Sequence, residues 1–116
     1  MMRSAGAWLT GEFDPWPSRD ELARILGEGG LRLEVDEYSV RVLDAPGLVF
    51  DHLDDFVAPM VTADTADVAS LVDLATRVSA ILAANGIAHR LEVHRADGTL
   101  AAYLHHGWNS FDLYDP

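Results

Sequence analysis

The amino-acid sequence predicts an α+β domain: a mostly antiparallel sheet with two helices packed on one face, in some variant of the ferredoxin-like arrangement. Three observations lead there. Two segments place apolar residues at helical spacing between recognisable start and stop signals. The segments around them alternate with a period of two. Near the end of the chain an Asp-Gly pair sits between two such segments, which marks a hairpin of antiparallel strands. The element order reads β–α–β–(β)–β–α–β–β, in one domain spanning residues 1–116.

"AWLTGEF" has the composition of a first strand. In "FDPWPSRDEL", Pro15 and Pro17 disfavour helix before Ser18, and "SRDE" is a capping box with Ser18 as N-cap and Glu21 at N3. Leu22, Ile25 and Leu26 then share one face, and Gly29-Gly30 ends the helix by permitting a left-handed residue. In "LRLEVDEYSVRVLD", Leu31, Leu33 and Val35 alternate with polar residues before the phase slips to Tyr38, Val40 and Val42. A regular strand cannot change phase, so Asp36-Glu37 is either a tight turn or a bulge, and both readings stay open. "DAPG" is a turn, "LVFDHL" a strand, and "DFVAPMV" runs extended past Pro59 toward the long helix.

That second helix, within "TADTADVASLVDLATRVSAILAANG", carries Val68, Leu71, Val72, Ala75, Val78 and Leu82 on one face. Asp64 or Thr65 is expected to cap it, with Asp67 near the positive end of its dipole, and Asn85-Gly86 to close it. In "HRLEVHRADGTLAAYLHH", a two-residue Asp97-Gly98 loop would set Ala96 against Thr99. Leu91 then faces Leu104 and Val93 faces Ala102 on the core side. His94 meets Ala101, Glu92 meets Tyr103 and Arg90 meets His105 on the other. His105 and His106 therefore point to opposite sides of the sheet.

The chain has 116 residues, is 49% hydrophobic and holds three Trp, three Tyr and four Phe, which suits a globular domain able to bury its own core. It has no cysteine, which excludes disulfides, thiolate nucleophiles and cysteine-held metals. "MMRSAGAWLTGEF" lacks the continuous apolar stretch of roughly seven to fifteen residues that a secretory leader needs. No run approaches the ~18 apolar residues of a membrane span. The expected setting is cytoplasmic, without membrane association. Nineteen acidic residues face eight basic ones, all arginine, for a net charge of −11. Such a chain repels nucleic-acid backbones and attracts basic surfaces.

Candidate chemistry is sparse. Adjacent histidines on a strand diverge, and His94 and His105 are offset by roughly 13 Å along the strands, so no metal site is expected; His94, His105 and His52 are the weak candidates. "FDHLDDF" gathers Asp51, His52, Asp54 and Asp55, but not at the spacing of a calcium loop. No phosphate loop, nucleophile elbow or basic patch is present in the sequence, and no cofactor is implied. Trp8, Trp16, Tyr38, Phe56 and Trp108 are aromatic enough to line a ligand pocket, or to fill and seal the core.

Several acid-rich segments also carry aromatics. "LEVDEY" offers Glu34, Asp36 and Glu37, "DHLDDF" offers Asp51, Asp54 and Asp55, and the end of the chain adds Glu92, Tyr103 and Trp108. Aromatic anchors ringed by carboxylates suit a basic protein partner. The sequence therefore leads to the expectation of a non-enzymatic domain that neutralises or regulates such a partner, for example the immunity protein of a bacterial toxin. The alternative is a small enzyme or ligand-binding domain using Glu92 and Tyr103 with His94 or His105, or His52 with Asp51 and Asp55. A homodimer through the open sheet face or an edge strand is compatible with either.

Overall fold

The computed structural model describes residues 6–14, 16–44, 47–51, 60–65 and 67–108. Its elements run β1 (Ala7–Phe13), α1 (Arg19–Glu28), β2 (Leu33–Val35), β3 (Ser39–Val42), β4 (Leu48–Asp51), β5 (Met60–Thr65), α2 (Val68–Ala84), β6 (His89–His94) and β7 (Leu100–His106). Among the described residues the strands form one antiparallel sheet in the order β2-β3-β4-β5-β1-β6-β7. Both helices pack on the same face of it, sharing a single apolar core.

The chain reaches this arrangement through local signals. Ser18 Oγ accepts the Glu21 backbone N–H at 3.1 Å and starts α1. Both helices end in a Schellman motif. At α1 the N–H of Gly30 donates to Gly27 O and that of Leu31 to Leu26 O; at α2 Gly86 donates to Ala83 O and Ile87 to Leu82 O. Gly30 and Gly86 take the left-handed residue, with φ of 99° and 72°. Gly29 has an ordinary φ of −76°, so its smallness has another cause. A Cβ there would lie 2.5–3.1 Å from three carbons of Ile81, where α1 meets α2. Because Ile81 is branched at Cβ, its side chain cannot simply swing aside. Gly29→Ala is expected to destabilise the fold by about 1–3 kcal/mol, read by chemical denaturation.

The start of α2 differs from the sequence expectation. β5 continues through Thr65, so Asp64 and Thr65 belong to the strand and Asp67 is the N-cap. Its carboxylate accepts the backbone N–H groups of Ala69 and Ser70 and the Ser70 hydroxyl. These bonds, the Ser70 hydroxyl first, hold the Asp67 carboxyl below the usual carboxylate range. A carboxylate two residues into a presumed helix is also an N-cap if the strand before it runs longer, and pairing with β1 extends that strand.

The phase slip after Val35 is a hairpin. Val35 pairs with Val40 and the Asp36 N–H donates to Ser39 O, so Asp36–Ser39 is the reversal. Arg19 of α1 fastens this turn by donating to the carbonyl oxygens of Asp36 and Glu37. The β6–β7 loop has three residues instead of two. Arg95 N–H donates to Thr99 O and Gly98 N–H to Arg95 O, with Gly98 at φ 91°. This is the type I turn followed by a left-handed residue found in three-residue hairpins. His94 consequently faces Leu100, and an irregularity between Val93 and His94 restores the register. From Val93↔Ala102 through Arg90↔His105 the pairing is the one the sequence predicts.

Topologically, β5–α2–β6 straddles β1, as in a split β–α–β unit. On the other side the four-strand meander β2–β5 places three strands between β1 and β2. Within the seven strands β4-β5-β1-β6 are neighbours in that order, with β2 and β3 beyond β4 and β7 beyond β6. The core lies between helices and sheet: Leu22, Ile25 and Leu26 of α1 and Leu71, Leu74, Ala75, Val78 and Leu82 of α2 are buried against Leu9, Val40, Val42, Phe50, Leu91 and Val93. Among the described residues no helix is long and apolar enough to cross a membrane.

Candidate functional site

Period two sorts the strand residues into a helix-covered side and an open side. On β6, His89, Leu91 and Val93 point to the helices, leaving Arg90, Glu92 and His94 on the open side. The neighbours follow by register. Glu12, Thr10 and Trp8 of β1 lie beside Arg90, Glu92 and His94, and His105 and Tyr103 of β7 lie beside Arg90 and Glu92.

Glu92 is the centre of this group. Its Oε1 is 3.3 Å from His94 Nε2 and its Oε2 is 3.7 Å from Arg90 Nη1. Arg90 also pairs with Glu12 at 3.0 Å. Rings flank the ions: Trp8 stacks on His94 at 5.0 Å, Tyr103 stacks on His105 at 5.0 Å, and Arg90 Cζ lies 5.2 Å from the centre of the Trp108 ring. Glu92 is only 11% exposed although it lies on the side of the sheet away from both helices. A carboxylate can only accept, so Nε2 of His94 carries the proton, and Nδ1 is buried with no partner among the described residues.

Further along the same face the acids are dispersed. One register row runs Glu34, Arg41, Val49, Thr62, Thr10, Glu92 and Tyr103, strand by strand. Glu34 pairs with Arg41 at 3.5 Å. Five strand spacings separate it from Glu92, roughly 24 Å at the usual interval. Asp51 closes β4 opposite Ser39, and Asp36 and Glu37 sit in the β2–β3 turn. Asp54, Asp55 and His52, as well as Phe56, lie outside the described residues. The fold thus brings together Glu92, Tyr103, Trp108, His94 and His105, and puts Glu34 and Asp51 on the same face at a distance. Among the described residues no group of three His, Asp or Glu comes together as a metal centre requires.

The helix-covered side holds a polar pair that the sequence reading passed over. His89 on β6 is fully buried; its Nδ1 is 2.9 Å from Ile87 O and its Nε2 is 2.7 Å from Ser79 Oγ on α2. The carbonyl fixes the tautomer, so Nδ1–H donates and Nε2 accepts the serine hydroxyl. Burial, above all, pushes the imidazole below its ordinary value, and the nearby His106 and His105 add to this. The sequence did hold a signal: His89 is two residues before Leu91 and four before Val93, hence on their side of the strand.

Comparison with known protein families, with curated proteins and with solved structures finds no match for this chain.

Proposed function

We propose that this chain is a non-enzymatic, acidic protein-binding domain that neutralises or regulates a basic protein partner in the cytoplasm, the immunity protein of a bacterial toxin being its concrete form. One observation carries the reading: the sheet face opposite the helices bears carboxylates (Glu12, Glu34, Asp51) and an exposed Trp8, on a chain of net charge −11. Flat faces with aromatic anchors and surrounding charge suit protein partners, and long-range charge raises the rate of encounter. A tagged chain passed through its own organism's lysate tests this. The expected result is a stoichiometric basic protein retained at low salt and loosened at high salt; repeated failure to retain one would count against the reading.

A second reading rests on the grouping of Glu92 with His94 and Tyr103 on the open face. A small polar ligand would use Glu92, His94 and Tyr103 as its contacts. A thermal-shift screen with metabolites and divalent metals separates the two, since a ligand at 100 times its Kd adds about 2.7 kcal/mol to stability. A homodimer through β7 or the open face accords with either reading, and light scattering measures it.

A further inference from the structure

Resting on the basic-partner reading, we infer that the partner seats on the open sheet face over β1, and that it presents an arginine side chain, rather than a lysine, to the ring of Trp8. β1 is an interior strand with β5 on one side and β6 on the other, yet its outward residues Trp8, Thr10 and Glu12 are all exposed. An indole 36% exposed in the middle of a sheet is unlike one at a frayed edge: its backbone is held on both sides. Its ring is also fixed, lying 5.0 Å from the His94 imidazole with 14° between the planes. A rigid, half-exposed aromatic costs little entropy when a partner covers it.

The chemistry of that anchor selects among cations. A guanidinium is planar, weakly hydrated and stacks on an indole face, whereas an ammonium is a compact, strongly hydrated point charge. The molecule makes the favoured contact internally, with Arg90 over Trp108 at 5.2 Å. Charge complementarity supplies the rest. The Glu12 side chain, at the same face of β1, stays 55% exposed while paired with Arg90, Glu34 stays 60% exposed while paired with Arg41, and Asp51 adds a carboxylate at the end of β4.

The test uses two probes of equal formal charge, a nona-arginine and a nona-lysine peptide, titrated at low salt into the full isotope-labelled chain and followed by amide shifts. The arginine peptide is expected to bind about threefold tighter or more, with shifts centred on residues 8–12 and 90–94. Trp8→Ala should bring the two affinities together with little change for the lysine peptide, and Trp8→Phe, which keeps a ring in place, should give an intermediate ratio. Asp20→Asn with Glu21→Gln on α1 should leave the ratio intact. Equal affinities of the two peptides for the native chain, or shifts centred on α1 and the β2–β3 turn, would overturn the Trp8 seat while leaving the basic-partner reading in place. Binding of neither peptide at low salt would overturn both.

Discussion

Replacing His89 by alanine is expected to cost the fold about 3 kcal/mol, a large part of the stability of a domain this size. The side chain is fully buried, touches Phe13 edge-on and lies beside His106, so its removal leaves a cavity between β1, β6 and β7. Its loss also strands two polar groups, the Ile87 carbonyl and the Ser79 hydroxyl. Ser79→Ala alone should cost less, about 1–2 kcal/mol, because only Nε2 of His89 loses its partner. The double variant should be less destabilised than the sum of the singles, since each single leaves the other partner unpaired. Urea denaturation of the four proteins measures this cycle. Strict additivity would mean that the 2.7 Å contact between Ser79 and His89 does not couple α2 to β6.

The same residue makes stability depend on pH in a defined window. The folded state holds His89 below the ordinary imidazole value of 6.5, so between its folded and unfolded values the unfolded chain binds the extra proton. Stability from this group is therefore full above pH 6.5 and declines as the pH falls toward the folded value, by up to about 1.4 kcal/mol per pH unit. Asp44, Asp67 and Asp97 act in a separate window. Their folded values are lowered, chiefly by the Arg32 N–H at Asp44, the Ser70 hydroxyl at Asp67 and the Thr99 N–H at Asp97. Their contribution is present above pH 3.8 and is lost below it, as the pH falls through those lowered values. Thermal unfolding should thus show one decline beginning near neutrality and a second in strong acid. His89→Phe should remove the first and keep the second; an unchanged profile in that variant would refute the assignment.

What the sequence made legible follows the range of the interaction. Local signals read well: Ser18 caps α1, Gly30 and Gly86 close the helices, and the Val93–Arg90 stretch pairs with Ala102–His105 as expected. The open-side grouping of Glu92, Tyr103, Arg90 and His105 follows from that register alone. Errors arose where a nonlocal partner decides the outcome. β5 reaches Thr65 because β1 lies beside it, which moved the cap of α2 from Asp64 or Thr65 to Asp67. The place of β1 between β5 and β6, which creates the exposed centre of the open face, has no local signature. The three-residue hairpin loop was masked because Asp-Gly serves two loop geometries, and a compensating irregularity hid the difference from the rest of the register.

The central claim, that this acidic chain meets a basic protein on its open sheet face, is tested most directly by association kinetics with the partner recovered from lysate. Two triple variants remove the same charge from opposite sides: Glu12→Gln, Glu34→Gln and Asp51→Asn on the open face, and Asp20→Asn, Glu21→Gln and Asp73→Asn on the helices. At low salt the open-face variant should associate about tenfold more slowly than the native chain, the helix variant far less so, and high salt should narrow both differences. Equal slowing by the two variants, or an association rate indifferent to both, would contradict the account.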